Sequence, residues 1–348
     1  MPRLTPMELR IHLMQLTANT RSKWWIARLT LVLTLIGWSG QASAQVLTVD
    51  KALPTYEPVS GVSGNLNSIG SDTLNNLMLL WGEAFREMYP NVNIQVQGAG
   101  SSTAPPALID ATAQIGPMSR PMTGAEIDRF EARHGYKPTE VRIGIDALAL
   151  FVHRDNPIQG LNLRQIDSIF SSTYRLGGRP VRTWGQLGLT GDWANRPISL
   201  YGRNAVSGTY GLFKNIALGG GDFDGNRYQE QPGSSTVVQS ITADRFGIGY
   251  SGIGYATSGV RILDVGAAAS SDHFPPTPEN ALTGKYPLAR FLLVYVNKSP
   301  REPLDRLTFE FLRFVTSRQG QEIVARDGFF PIPAQVAEQT MNSLRGTP

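Results

Sequence analysis

Residues 65–103 read NLNSIGSDTLNNLMLLWGEAFREMYPNVNIQVQGAGSST, and this stretch alternates two kinds of pattern. Residues 65–69 and 93–97 are short runs typical of β-strands. Between them, apolar side chains recur every three or four residues over 74–89, which predicts a helix that Pro90 ends. A strand, a helix and a further strand in this order predict an α/β fold with a mainly parallel sheet.

The same alternation continues along the chain. It predicts a second helix over 107–113, a third short strand over 114–116 and a terminal helix over 309–326. Two long apolar runs, at 141–153 and 287–296, also predict strands. They lie far apart in the sequence and enclose a loop-rich segment, so we expect this segment to form a second lobe inserted between two parts of the first, with the two runs near a hinge.

These patterns divide the chain into three parts. We expect a signal peptide in residues 1–44, a discontinuous lobe I in residues 45–147 and 287–348, and lobe II in residues 148–286. Each lobe should be a mainly parallel sheet flanked by helices, and the hinge should join the two lobes.

The first 44 residues have the pattern of an export signal. Three basic residues precede an apolar run at 29–38, and an A-x-A sequence ends at Ala44. This run is shorter than the about 20 residues that span a bilayer, although an uncleaved membrane anchor is the alternative. The chain has no cysteine, which excludes disulfides and the lipid attachment of a bacterial lipoprotein. We therefore expect a soluble periplasmic protein.

The net charge is explained by the predicted signal peptide. The whole chain has 32 Lys and Arg against 28 Asp and Glu, but residues 1–44 hold five of these basic residues and only one of the acids. The remainder carries 27 of each. A neutral mature protein lacks the basic surface that a nucleic-acid partner requires, so we expect none.

Four loops share one composition, small hydroxyl residues and glycines where a strand gives way to a helix. They are IGSDTL at 69–74, GAGSST at 98–103, GPMSRP at 116–121 and GRNAVSGT at 202–209. Helix N-termini offer free N–H groups to an anion, and hydroxyls add further donors. In parallel α/β sheets, ligands bind beside the carboxyl ends of the strands. Any one loop alone is ordinary helix capping, but their joint occurrence predicts an oxyanion site.

The segment Arg203-x-x-x-Ser207-Gly208-Thr209 makes this prediction more specific. It resembles the R-x-x-x-S-G-T loop of the periplasmic phosphate-binding proteins of ABC transporters, which belong to the type II periplasmic binding proteins. The interval from Thr73 to Ser101 is also similar to that family's. The resemblance implies a two-lobed, monomeric, non-enzymatic receptor that closes on inorganic phosphate and presents it to an ABC-type permease in the inner membrane. No catalytic residue, cofactor or metal is expected.

The loops and the resemblance together give a set of expected phosphate ligands. These are Ser71, Asp72, Thr73, Leu74, Ser101, Ser102, Ser119, Arg120, Asp146, Arg203, Ser207, Gly208 and Thr209.

The third loop departs from the family pattern, because Ser119 stands where the best-known phosphate receptors have an Asp that accepts the proton of phosphate. Asp72 and Asp146 are candidates for that acceptor, with an N-cap and a hinge hydrogen bond as their respective alternatives. Arg120 is either a second cation or the partner of a surface acid. Without the Asp, sulfate, molybdate, tungstate or a phosphonate remain alternative ligands, and a secreted phosphatase or hydrolase is the alternative from another class.

Three other motifs carry little weight. GIGYSG at 247–252 matches G-x-G-x-x-G but lacks the following helix of a dinucleotide site. No serine lies in G-x-S-x-G, the sequence of a hydrolase nucleophile elbow. The histidines after residue 44 are widely spaced, unlike those of a zinc site.

Overall fold

The computed structural model describes residues 47–345. The predicted signal peptide and its cleavage after Ala44 lie outside the described residues. No helix within 47–345 is both long enough and apolar enough to cross a membrane.

The described part of the chain alternates strands and helices. The strands are β1 (Gly64–Ile69), β2 (Val92–Gln97), β3 (Ile115–Met118), β4 (Thr139–His153), β5 (Gly160–Asn162), β6 (Ser199–Arg203), β7 (Tyr228–Gln231), β8 (Gly247–Gly252), β9 (Val260–Ile262), β10 (Asp264–Gly266) and β11 (Ala289–Val296). The helices are α1 (Asn75–Met88), α2 (Ala104–Ile109), α3 (Gly124–His134), α4 (Leu163–Phe170), α5 (Gly208–Ala217), α6 (Ser234–Ala243), α7 (Pro278–Leu282), α8 (Arg306–Val315), α9 (Arg318–Arg326) and α10 (Ala334–Arg345).

One long sheet connects most of these strands, in the order β2-β1-β3-β11-β4-β8-β6-β7, with β9 paired to β4. The outer strands are parallel: β1 pairs in parallel with β2 and β3, and β6 with β7 and β8. The central strands β11 and β4 are antiparallel to their neighbours. A parallel strand must be reached by a crossover, which the intervening helices supply.

Strand β4 belongs to both halves of this sheet. Its residues 139–147 pair with β11, and its residues 148–152 pair with β8. Two of the hydrophobic clusters divide in a similar way. One contains side chains from α1, β1 and α8, and the other contains side chains from the second part of β4 and from α4, α5 and β6. The two-lobed α/β class expected from the sequence is the architecture observed.

Most of the predicted elements are confirmed. The strands at 65–69, 93–97, 141–153 and 287–296 correspond to β1, β2, β4 and β11, and the helix at 74–89 corresponds to α1.

The predicted helix over 107–113 is wrong in its limits. Helix α2 begins at Ala104, because Pro105 and Pro106 occupy its first turn, where the N–H groups have no intrahelical acceptor. It ends at Ile109, and Ala111 then adopts a left-handed φ of 56°.

The terminal helix predicted over 309–326 is also wrong, because two helices occupy this region. The break falls at Thr316 and Ser317, whose hydroxyls donate to the carbonyls of Leu312 and Phe314. Ser317 also caps α9 by accepting a hydrogen bond from the N–H of Gly320. Helix α10 follows and was not predicted.

Candidate functional site

Three of the four predicted loops meet because the strands before them are neighbours. Strands β2, β1 and β3 are adjacent and parallel, so their carboxyl ends share one edge. Backbone hydrogen bonds join the loops there: Gly100 N–H donates to the Gly70 carbonyl at 2.7 Å, and Ser71 N–H donates to the Pro117 carbonyl at 2.8 Å. A Cβ on Gly70 would overlap this carbonyl oxygen, so glycine is required for the close approach.

The fourth loop comes from the other half of the sheet and closes against the first three. Ser102 N–H donates to the Val206 carbonyl at 3.2 Å. Gly208, the first residue of α5, lies so near Ser101 and Ser119 that a Cβ on it would stand 2.7 Å from the Ser119 Oγ and would overlap the Ser101 Oγ. The N-terminus of α5, with its free N–H groups, therefore faces the serines of the other half.

Buried hydroxyls from all four loops form pairs at this place. Thr73 Oγ1 and Thr209 Oγ1 are 2.9 Å apart, and Ser101 Oγ and Ser119 Oγ are 3.2 Å apart. Ser207 caps α5 by accepting a hydrogen bond from Thr209 N–H at 3.1 Å. All five side chains are buried. Five of the expected ligands thus lie together, without a carboxylate among them.

Arg203 is a buried cation at the start of the fourth loop. It ends β6 and is 1% exposed. Its Nη1 lies 2.7 Å from Ser234 Oγ and 2.9 Å from Asp72 Oδ2, and its Nη2 donates to the Pro232 carbonyl at 3.0 Å. Its Nε is buried and has no hydrogen-bond partner within residues 47–345. A buried N–H without an acceptor is costly, and the Nε of this guanidinium is such a donor, available to a further group.

Asp72 does not cap the helix that follows it. Helix α1 has no side-chain cap, and Leu74 is its N-cap residue. The carboxylate instead crosses to the other half of the sheet, where it accepts hydrogen bonds from Ser234 N–H at 2.9 Å and Ser234 Oγ at 3.0 Å. The carboxylate thus contacts the first turn of α6 as well as Arg203. The helix dipole favours a negative charge at this position, because the N-terminus of a helix is partially positive.

Asp146 forms an ion pair that sequence analysis missed. Its Oδ2 accepts from Nε and Nη2 of Arg290 at 3.1 and 2.7 Å, and its Oδ1 accepts from Ile253 N–H at 3.1 Å. Both side chains are buried. The signal for this pair was present, since Arg290 is a lone charge inside the apolar run PLARFLLVYV at 287–296.

Arg120 is already paired. It forms a bidentate ion pair with Glu126, in which Nη1 and Nη2 each lie 2.7 Å from a carboxylate oxygen. It also donates to the Pro121 carbonyl and to Ser102 Oγ. Burial alone would raise the pKa of Glu126, but the hydrogen bonds from Arg120 and Thr123 hold it below its usual value. These contacts favour the structural alternative for Arg120.

The remaining predicted residues lie at the margin of the hydroxyl cluster. The Ser71 N–H donates to the Pro117 carbonyl. The Leu74 N–H donates to the Ser71 carbonyl at 3.3 Å, and the Leu74 side chain packs in the core.

Tyr255 is another residue that sequence analysis missed. It fixes the first loop by donating to the carbonyls of Asp72 and Thr73. Burial raises the pKa of Tyr255 above its usual value, which keeps the phenol a donor.

Comparison with known proteins gives the family. Residues 55–319 match the model of the PBP superfamily domain. The chain is 53% identical to the phosphate-binding protein PstS of Pseudomonas aeruginosa over 320 residues, which cover 92% of this chain and 99% of that protein. It is 24% identical to the protein SphX of Synechococcus elongatus, over 83% of this chain and 84% of SphX.

Solved structures give the same fold. A phosphate ABC transporter substrate-binding protein from Clostridium perfringens, crystallised with bound phosphate, superposes with a TM-score of 0.65 at 27% identity and covers 77% of this chain and 100% of its own. An ABC-type phosphate transport receptor from Vibrio cholerae has a TM-score of 0.59 at 21% identity, over 77% of this chain and 100% of its own.

Proposed function

This chain belongs to the PBP superfamily and, within it, to the family of phosphate-binding proteins of phosphate ABC transporters, and on that premise we propose that it binds inorganic phosphate between the two halves of its sheet. The anion would lie among Thr73, Ser101, Ser119, Arg203 and the first turn of α5. The bound receptor would then present phosphate to an ABC-type permease.

One observation supports this position more than any other. The Arg203 Nε is a buried donor without an acceptor within residues 47–345, in a guanidinium whose other nitrogens hold Asp72, Ser234 and Pro232 in place. A charge-assisted hydrogen bond to an oxyanion would satisfy it. The adjoining hydroxyls and the N-terminus of α5 would supply donors to the other oxygens.

The protonated oxygen of phosphate needs an acceptor, and we propose Asp72 for this role, with Asp146 as the alternative. Asp72 contacts Arg203 directly through Oδ2. Asp146 instead contacts Arg290, which in turn donates to Thr209. An acceptor carboxylate repels sulfate, which has no proton to give at neutral pH. If Asp72 is the acceptor, Asp72→Asn should admit sulfate as a competitor of phosphate while Asp146→Asn should not; the reverse result would assign the role to Asp146.

Closure about a hinge is the mechanism that we propose for recognition. The lobes would be residues 45–147 with 287–348, and residues 148–286, which is consistent with the change of partner along β4 from β11 to β8 after residue 147. Since Thr73, Ser101 and Ser119 belong to one lobe and Arg203, Ser207 and Thr209 to the other, phosphate would stabilise the closed form by contacting both.

A calorimetric titration of the purified protein tests phosphate binding. We expect a tight complex with one phosphate per chain, which a large excess of sulfate does not displace. Heat only at millimolar phosphate, or equal binding of sulfate, would count against a phosphate receptor and favour another oxyanion.

The absence of enzymatic activity needs its own assay. The hydroxyls of Ser101 and Ser207 accept hydrogen bonds from backbone N–H groups, and neither has a histidine among its described partners, so we propose a receptor without bond chemistry. Steady turnover of a phosphate ester that is lost in Ser71→Ala, Ser101→Ala or Ser207→Ala would support the hydrolase alternative.

We also propose export to the periplasm as a monomer. The basis is the signal-like pattern of residues 1–44, the A-x-A sequence ending at Ala44 and the lack of cysteine. N-terminal sequencing of the exported protein should begin at Gln45. Exported protein that retains residues 29–38 would instead indicate a membrane anchor.

A further inference from the structure

The pair Arg290 and Asp146 lies at the centre of the long sheet. These residues face each other across the antiparallel strands β11 and β4, so the register itself brings their side chains together. The Arg290 side chain is 3% exposed and that of Asp146 is fully buried. A buried guanidinium is tolerated because the carboxylate neutralises it.

Arg290 also reaches both halves of the proposed phosphate site. Its Nη1 donates to the Ser119 carbonyl at 2.6 Å, and its Nη2 donates to Thr209 Oγ1 at 2.9 Å. Ser119 follows β3, whereas Thr209 lies in the first turn of α5. One guanidinium therefore connects a loop from one half of the sheet with a helix N-terminus from the other.

The contact with Thr209 decides how its hydroxyl is used. An arginine can only donate, so the Thr209 Oγ1 must accept from Arg290 and keeps its own proton to donate elsewhere. Ser101 and Ser207 are held in the same way, since they accept hydrogen bonds from Ser119 N–H and Thr209 N–H. An oxyanion needs donors, and Arg290 and the backbone use none of these three hydroxyl protons; those of Thr209 and Ser101 can go to the paired hydroxyls of Thr73 and Ser119 or to an anion.

We propose that Arg290 is a positioning residue for phosphate, which acts by orienting the Thr209 hydroxyl and by fixing the loop of Ser119 against α5. Asp146 holds the guanidinium in place and neutralises it. This inference rests on the proposed phosphate site but adds a residue that none of the four loops contains. It requires energetic coupling between Arg290 and Thr209, which a merely structural ion pair would not have.

A double-mutant cycle tests that coupling. Phosphate affinity is measured by calorimetry for wild type, Arg290→Met, Thr209→Val and the double variant. We expect each single substitution to weaken binding about tenfold to 100-fold, the range for one hydrogen bond involving a charged group. Arg290→Met should have a smaller effect in the Thr209→Val background than in wild type. Fully multiplicative effects, or wild-type affinity of Arg290→Met, would overturn the proposal.

Two further variants keep the test valid if Arg290→Met folds poorly. Arg290→Gln combined with Asp146→Asn removes both buried charges; weaker phosphate binding by this folded variant than by Asp146→Asn alone supports the role of Arg290, whereas equal affinity of the two variants refutes it. Arg142→Met is the matched control, because Arg142 lies on β4 and pairs with Glu140 at an exposed position; its phosphate affinity should equal that of wild type.

The same titrations separate the two levels of the proposal. A wild-type protein that does not bind phosphate refutes the proposed function itself. A wild-type protein that binds phosphate, with Arg290 variants that bind equally well, refutes only the positioning role.

Discussion

Arg120 and Arg203 invite comparison, because each lies at the end of a strand, in a segment of the same composition, and each is paired with a carboxylate. The partner of Arg120 is Glu126, six residues further along, which takes both terminal nitrogens. The partner of Arg203 is Asp72, which comes from the other half of the sheet, and the Arg203 Nε stays unpaired within the described part of the chain. The difference is that the Arg203 Nε is a buried donor without an acceptor in that part of the chain and that its carboxylate partner comes from the other half of the sheet, and residue type alone does not reveal it.

This difference predicts separate consequences. A local pair stabilises its own loop and helix, whereas a pair that crosses between the halves and retains a buried donor can respond to a ligand. Substitutions in the pair of Arg120 and Glu126 should therefore change the free energy of unfolding, whereas substitutions of Arg203 should change phosphate affinity.

The largest effect is expected at Arg203. Arg203→Ala should weaken phosphate binding by about 2–5 kcal/mol, the range for truncating one member of a buried charged pair. Arg203→Lys should lose less affinity, because lysine keeps the positive charge but lacks the planar guanidinium, which can donate two parallel hydrogen bonds. Calorimetry measures both. Wild-type affinity in Arg203→Ala would remove the main support for the proposed site.

Next come the two hydroxyls of the fourth loop. Ser207→Ala and Thr209→Val should each cost about 1.5–3 kcal/mol of phosphate binding, since each removes a hydrogen bond to a charged group. A suitable control is Thr236→Val, on α6, whose hydroxyl donates to its own N-cap carbonyl. If this control loses as much affinity as the two loop variants, the hydroxyl effects are not specific to the anion.

The pair of Arg120 and Glu126 should affect stability and its pH dependence. Because the folded protein lowers the pKa of Glu126, the ionised carboxylate stabilises the fold above its unfolded pKa of about 4.3, and this contribution is lost as the pH falls through the lower folded pKa. Glu126→Gln should reduce the free energy of unfolding by about 1–3 kcal/mol at neutral pH. In denaturation series from pH 7 to pH 3, the difference in free energy of unfolding between wild type and Glu126→Gln should become smaller. A constant difference would contradict this assignment.

The smallest effect should be that of the same pair on ligand affinity. Arg120→Gln with Glu126→Gln removes both charges, and phosphate affinity should change by no more than about 0.5 kcal/mol, the usual range for substitutions away from key contacts, because Arg120 hydrogen-bonds to Glu126, Pro121 and Ser102 and not to Arg203 or Thr209. A loss comparable to that of Arg203→Ala would show that Arg120 is a second cation of the site.

Local patterns predicted most of the fold. Strands β1, β2 and β4 and helix α1 follow from periodicity and from Pro90, which are properties of neighbouring residues. The failures occurred where a local signal has two meanings. The prolines before Ala107 lie inside the first turn of α2, and Thr316 and Ser317 end one helix and begin the next.

The cluster of buried hydroxyls was predicted in part for the same reason, whereas its role as a phosphate site stays a prediction. Loop composition indicated the hydroxyls, because a donor-rich turn is visible in the sequence, and the resemblance of the R-x-x-x-S-G-T segment indicated Arg203. It could not indicate that Asp72 reaches Ser234, or that Arg290 reaches Thr209, because these contacts join residues 162 and 81 positions apart. Only the tertiary fold brings them together.

The most direct test of the central claim is a crystal structure of the protein purified without stripping bound ligand. We expect a four-oxygen anion with one oxygen within hydrogen-bond distance of the Arg203 Nε, and others that accept from the Ser101 and Thr209 hydroxyls. An anion bound elsewhere, or an Arg203 Nε that remains unpaired beside a bound anion, would contradict it.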